Sequence, residues 1–290
     1  MASLTLAIDS SSTVISVAIV ENSDPVFELD SIQFQDQSQT VNVRSNAGDD
    51  DSLPHGYVRK RSKGKGKTSR IFPPGASTLL APMIRAALDQ YGTSLKNIDL
   101  ISVTKGPGSF TSLRVGVVTA KTIAYAMDIP VLGINTLEAL ALSAAELSAA
   151  HNDSGLAHTL KVRPVINAQR KQLFSSYYEA HQAPHSMVHL KEITPSVIAD
   201  IETWTSTIAF GDLITGPGVP SSFTAEVATQ LGCSLLDEQD RNCSASTVGR
   251  LARTKYTAGE RESHWKLEPI YFRPSTAEET FRQKQTENES

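Results

Sequence analysis

The chain has 290 residues, 40% of them hydrophobic, 20% charged and 6% aromatic. That length and balance supply a core for one large domain or two small ones, and exclude fibrous, collagenous and wholly disordered classes. No run of about 18 apolar residues is present, and the opening MASLTLAIDSSS lacks the basic and apolar regions of a secretory signal. Two cysteines and a net charge of −4 point to a reducing, cytoplasmic setting and away from nucleic-acid binding by bulk charge.

In chain order, Leu4, Leu6 and Ile8 alternate with polar or small residues, then Asp9-Ser10-Ser11-Ser12-Thr13 turns the chain, and Ile15, Val17 and Ile19 alternate again. This reads as a β-hairpin, with a third strand expected over Phe27–Phe34. From Ser38 to Arg70 apolar patterning is lost. Arg59, Lys60, Arg61, Lys63, Lys65, Lys67 and Arg70 place seven positive charges within twelve residues and no acid among them. Like charges at that density resist packing, so residues 38–70 are expected to be a mobile insertion. Leu79, Leu80, Met83, Ile84, Ala87 and Leu88 then recur at helical spacing, with Ser77 as N-cap and Pro82 as a start or kink. A buried strand over Ile98–Thr104, the tight turn Gly106-Pro107-Gly108, a helix from Ser109 to Met127, a strand over Pro130–Ile134 and a helix from Thr136 to Ala150 complete the first half.

The second half echoes this order. Val162–Ala168 and Gln172–Glu179 form a hairpin around Gln169-Arg170-Lys171, and Met187–Leu190 supplies a third strand. A helix over Pro195–Trp204, a strand over Thr207–Phe210 and helices at Ser221–Leu231 and Ser244–Tyr256 follow. The pattern predicts an α/β fold of two actin-like (ribonuclease-H-like, ASKHA) lobes, each a mixed sheet flanked by helices, over residues 1–150 and 151–274, with a flexible tail at 275–290.

Several segments carry possible chemistry. Asp9, Ser10, Ser11 and Ser12 stand where actin-like ATPases cradle phosphates and a hydrated magnesium ion; the alternative is an ordinary polar hairpin turn. The matching hairpin offers Asn167, which keeps hydrogen bonds and loses the charge. The run SKGKGKT has Arg61 where a P-loop needs glycine, and Gly106-Pro107-Gly108 is followed by Thr111 where a dinucleotide fingerprint needs glycine. The basic run instead makes Arg59, Lys60, Arg61, Lys63, Lys65, Lys67 and Arg70 candidate RNA contacts or a solvated loop. On the helix after Ser109, Gly116, Ala120 and Ala124 recur every four residues. This stripe is edged by Leu113 and Val117 on one side and by Ser112, Thr119 and Ile123 on the other, while Arg114 and Lys121 mark the solvent face. The stripe suits close approach of a partner helix or of the chain's own sheet and helix. His181, His185 and His189 have metal-like spacing, but Pro184 interrupts any helix there, and no metal site is expected. Cys233 and Cys243 are read as unpaired thiols.

Taken together, LAIDSSSTVISVAIV, KGPGSFTSLRVGVVTAKTIAYAMDIPVLGINTLEALA, PVINAQRKQLFSSYYE and LEPIYFRPSTAEE resemble the TsaB (YeaZ) family of bacterial tRNA threonylcarbamoyladenosine synthesis. The resemblance runs from Leu4 to Glu279 and skips Ser38–Arg70. It implies a non-catalytic subunit without catalytic residues, cofactor or metal. It also implies a TsaD-like catalytic partner contacted through first-lobe helices, a transient TsaE-like ATPase, possible tRNA contact in the complex and a homodimer when alone. The interface it implies comprises Ser112, Gly116, Thr119, Ala120, Ile123 and Ala124 together with helix Ser77–Tyr91. The chain departs from many family members at Gly75-Ala76-Ser77, where a His-Ser pair is common, and at Asn167 and Ser112, where Asp and Gly are common. No histidine lies between Arg70 and Tyr91, the stretch that holds the metal histidines in TsaD. The rival reading is an independent actin-like ATP-dependent transferase or a glycoprotease-type peptidase, for which no nucleophile–base pair stands out.

Overall fold

The computed structural model describes residues 3–35, 58–59, 71–72, 75–151, 158–182 and 188–272. Alternation of apolar and polar residues produces the antiparallel meander β1 (Leu4–Asp9), β2 (Ser16–Glu21) and β3 (Asp24–Asp30). The third strand therefore ends four residues earlier than expected, and residues 31–35 turn helical. The Asp30 carboxylate accepts from the Ile32 and Gln33 amides, 2.8 Å each, and so caps that turn. The short strands β4 (Val58–Arg59) and β5 (Ile71–Phe72) pair antiparallel. Lys60, Arg61, Lys63, Lys65, Lys67, Arg70, nearly all of the 38–70 insertion and the tail at 275–290 lie outside the described residues.

Helix α1 (Ala76–Tyr91) is capped at Gly75, not at Ser77, and Pro82 sits inside it. Strand β6 (Ile98–Gly106), helix α2 (Phe110–Met127), strand β7 (Val131–Asn135) and helix α3 (Thr136–His151) finish the first half. The first sheet has the order β3-β2-β1-β6-β7, antiparallel through the meander and parallel beyond it.

The second sheet repeats that plan. β8 (His158–Asn167), β9 (Gln172–Gln182), β10 (His189–Asp200), β11 (Asp212–Thr215) and β12 (Ser234–Leu235) take the order β10-β9-β8-β11-β12. Two expectations fail here. The helix expected over Pro195–Trp204 is strand as far as Asp200, and only α4 (Ile201–Ser206) is helical. Pro195 is tolerated because β10 is an edge strand whose register with β9 breaks between Glu192 and Val197. The strand expected at Thr207–Phe210 lies instead at Asp212–Thr215, after a left-handed Gly211 (φ 82°); Phe210 is 87% exposed. Helices α5 (Ala225–Leu231) and α6 (Ala245–Thr257) follow.

The layers explain how the lobes are joined. α1 and α2 cover the outer face of the first sheet, while α4 and α5 lie against the second. α3 packs on the second sheet and α6 on the first, so these two helices are sandwiched between the lobes. Residues 245–257, expected within the second lobe, thus return to the first. Gly249 of α6 leaves room for Val20 and Ala7, which a Cβ would meet at 2.6 and 3.0 Å. The interlobe core joins Leu100, Leu132 and Ile134 to Leu140, Val162, Leu213 and Val248. Two ion pairs tie α6 to α3, Arg250 to Glu146 and Lys255 to Glu138 (2.9 Å). Among the described residues no helix is long and apolar enough to cross a membrane.

Candidate functional site

The hairpin turns of the two lobes face each other across a cleft of about 610 Å³. Each turn is built in the same way. The Asp9 Oδ1 accepts from the Ser11 amide at 3.0 Å, and the Asn167 Oδ1 accepts from the Gln169 amide at 2.7 Å. These are side chains that close their own turns. Each turn is backed by a Gly-Pro-Gly sequence, Gly106-Pro107-Gly108 in the first lobe and Gly216-Pro217-Gly218 in the second. Gly106 and Gly216 share a left-handed backbone, φ 112° and 106°. A Cβ on Gly108 would fall 2.3 Å from the Ser11 carbonyl oxygen, and one on Gly218 would fall 2.3 Å from the Ile166 carbonyl carbon. The repeated Gly-Pro-Gly is present in the sequence and is the signal that locates both walls of the cleft; sequence reasoning singles out only the first as a turn.

The candidate phosphate residues separate. Ser11 and Ser12 line the cleft, whereas Asp9 and Ser10 lie beneath it with no exposed surface. Asp9 sits at the end of β1 and faces the inner helical layer. Its Oδ1 accepts from Thr104 Oγ1 at 2.9 Å, and its Oδ2 has no hydrogen-bond partner among the described residues. Burial raises its pKa from 3.8 to about 6, against the lowering effect of the Ser11 and Thr104 hydrogen bonds. Burial likewise pushes the nearby Cys243 thiol well up, and the Asp9 charge adds to the shift. Asp9 therefore presents no surface to the cleft.

The small-residue stripe proves to be core. Ala120 and Ala124 are buried against the chain's own sheet, and a Cβ on Gly116 would fall 2.0 Å from Ser10 Oγ. Ser112, Thr119 and Ile123 are half-buried at its edge, where Ile123 packs with the α1 cluster. Gly116, Ala120 and Ala124 are thus no external interface: their shortness lets α2 lie close on β1 and β6. The solvent face of α2 carries Thr111, Val118 and Thr122, with Val118 60% exposed. Arg114 is exposed as expected, and there it stacks on the Phe110 ring at 3.9 Å and donates to Tyr271 Oη at 2.8 Å. Lys121 is half-buried and approaches the Trp265 carbonyl at 3.5 Å.

The remaining candidates do not assemble. His181 and His189 oppose each other on β9 and β10, and His185 lies outside the described residues. Among the described residues no three His, Cys, Asp or Glu side chains gather as metal ligands would. Cys233 and Cys243 are buried free thiols. Sequence reasoning missed the C-terminal side of the cleft, where Ile270, Tyr271 and Phe272 join Phe110 and Phe174 as apolar walls.

Two sheets of identical order, each with its hairpin turn at a shared cleft and two helices between them, define a two-lobed actin-like α/β protein. The family model for TsaD, tRNA N6-adenosine threonylcarbamoyltransferase, matches residues 75–182. The tRNA threonylcarbamoyladenosine biosynthesis protein TsaB of Bacillus subtilis is 34% identical over 98 residues, 34% of this chain and 38% of that protein. TsaB of Haemophilus influenzae is 41% identical over 73 residues, 25% and 31% of the two chains. A tRNA N6-adenosine threonylcarbamoyltransferase of Trichlorobacter lovleyi is 45% identical over 60 residues, 21% and 18%. The matched stretches thus span under two fifths of those curated relatives' own length. YeaZ from Pseudomonas aeruginosa superposes with a TM-score of 0.60 at 19% identity, over 93% of this chain and 100% of that one. Over these stretches the chain is similar in sequence to TsaB and TsaD proteins, and it shares the fold of YeaZ.

Proposed function

We propose that this chain is an accessory subunit in the biosynthesis of tRNA threonylcarbamoyladenosine, bracing a TsaD-like catalytic subunit and performing no transfer itself. The observation that carries this reading is the state of the cleft carboxylate: Asp9 has 0% exposure and its hydrogen bonds go to Thr104 and Ser11 of its own lobe. An actin-like ATPase presents a carboxylate to its cleft; among the described residues the second lobe lines this cleft with Asn167, Gln169 and Arg170 and with no carboxylate.

The docking face in this proposal is the solvent side of α1 and α2: Ala81, Pro82 and Arg85 of α1 with Thr111, Val118 and Thr122 of α2, all exposed. It replaces the buried stripe while keeping the same two helices. Two helices presenting a mixed apolar face form half of a helix bundle, which a helical partner completes. A TsaE-like ATPase would join the pair, and the basic residues Arg59–Arg70 would contact tRNA within the assembly.

The test is co-purification with the TsaD-like protein of the same organism. Val118→Arg is expected to abolish the complex while this chain keeps its melting temperature, since the side chain lies in solvent. Retention of the complex by Val118→Arg overturns the docking face. Threonylcarbamoyl transfer by this chain alone overturns the accessory role.

A further inference from the structure

The last described residues run from the edge of the first sheet into the interlobe cleft. Glu262 starts the path: its Oε2 accepts from the Gly133 amide of β7 at 2.8 Å, and its Oε1 pairs with Lys105 Nζ at 3.3 Å. Leu267 is fully buried in the first-lobe core, and Gly133 leaves it space that a Cβ would close to 2.6 Å. The Ile270 amide then donates to the Lys105 carbonyl at 2.7 Å. Tyr271 packs on Phe110 with ring centroids 5.1 Å apart and accepts from Arg114. Every anchor to this point is on the first lobe. Phe272 crosses the cleft and meets Phe174 of the second lobe, centroids 5.3 Å apart at 48°.

We infer that Glu262–Phe272 is a strap that latches the cleft, holding the angle between the lobes in addition to the α3–α6 sandwich. The lobes have two kinds of connection. The α3–α6 layer is a packed apolar core and behaves as a hinge side. Beyond that layer Phe272 meets Phe174, which lies at the margin of the interlobe core, and Asn135 Nδ2 donates to Ser196 Oγ at 3.2 Å. Aromatic pairs in tilted geometry contribute beyond their buried area, and this one joins the strap to the second lobe. Tyr271 and Phe272 of the strap also form part of the cleft wall. The role of the chain's own C-terminal aromatics is therefore to set one lobe arrangement in the isolated protein.

The experiment measures the distance between spin labels on the two lobes of the full chain, placed by Ser77→Cys on α1 and Glu202→Cys on α4, both exposed. The unsubstituted strap is expected to give one narrow distance distribution. Phe272→Ser is expected to broaden it with a longer-distance population, and to raise amide exchange in Gln169–Phe174 at least tenfold. Arg114→Ala, which frees Tyr271 from a surface anchor without touching the core, is expected to act in the same direction. Trp265→Ala, on the strap but outside the cleft, is expected to leave the distribution unchanged. An unaltered distribution and unaltered exchange in both Phe272→Ser and Arg114→Ala overturn the latch. Only this chain is present, so the result does not depend on any TsaD-like partner.

Discussion

At the scale of single residues, Asp9 has the largest consequence for pH dependence. Its folded pKa, about 6, lies above the unfolded value of 3.8 because burial disfavours the charge. The folded state therefore holds its proton more tightly, and stability falls as pH rises from about 3.8 to about 6, then levels off. That shift is worth about 3 kcal/mol at pH 7. Asp9→Asn keeps an oxygen for Ser11 and Thr104 and removes the charge. It should stabilise the protein at pH 7 by an amount of that order, and the gain should vanish near pH 4. Urea unfolding of both proteins between pH 4 and 8 checks this; parallel curves would rule out a buried, ionised Asp9. Gly108 offers a second test. A Cβ 2.3 Å from a backbone oxygen cannot be accommodated by a rotamer change, so Gly108→Ala should lower stability by about 1–3 kcal/mol, read as a loss in melting temperature.

At the scale of elements, α2 separates two surfaces that its sequence leaves ambiguous. Ala120 and Val118 are two residues apart and point in opposite directions, 0% and 60% exposed. Ala120→Arg would force a charge into the first-lobe core, so it reports on folding rather than on partner binding. A soluble, cooperative Ala120→Arg protein would contradict this packing. The α3–α6 pair makes a similar point. Glu146 is held above its ordinary pKa by burial, and Arg250 only partly offsets it. Removing the guanidinium with Arg250→Met leaves a half-buried carboxylate alone, at an expected cost of about 1–2 kcal/mol, between exposed and buried ion pairs. A double-mutant cycle with Glu146→Gln isolates that coupling. The two second-lobe boundaries that failed sequence reasoning share one cause. Around Pro195 and at Thr207–Phe210 local propensity suggested a helix start and a strand, but position in the sheet decided otherwise: an edge strand tolerates proline at a bulge, and Asp212–Thr215 is buried as a strand only because β8 and β12 flank it.

At the scale of the whole molecule, the internal repeat is the organising feature. Both sheets share one order, both hairpin turns close on their own side chains, and both are backed by Gly-Pro-Gly. The symmetry is broken where chemistry would reside: Asp9 is sealed and Asn167 is open. Under the accessory reading, calorimetry with ATP and magnesium should show no saturable binding at micromolar protein. A stoichiometric titration would favour the independent-enzyme reading instead. Deleting residues 38–70 should weaken tRNA binding by the assembled complex and flatten its salt dependence, since eight lysines and arginines, seven of them within Arg59–Arg70, would be removed.

What the sequence by itself determined was the hairpins, the helical faces, the two-lobed plan and the family resemblance. These rest on local periodicity and on turn residues, which act within a few positions along the chain. Only the tertiary structure decided which face of α2 is core, that Asp9 is shut away from the cleft, that α6 returns to the first lobe and that Ile270–Phe272 reaches the cleft. Each of these depends on contacts between residues far apart in the chain, such as Ser10 with Gly116, Val20 with Gly249 and Phe174 with Phe272. A stripe of small residues has the same pattern whether its neighbour is a partner or its own sheet, because periodicity records that a face is buried and not what buries it.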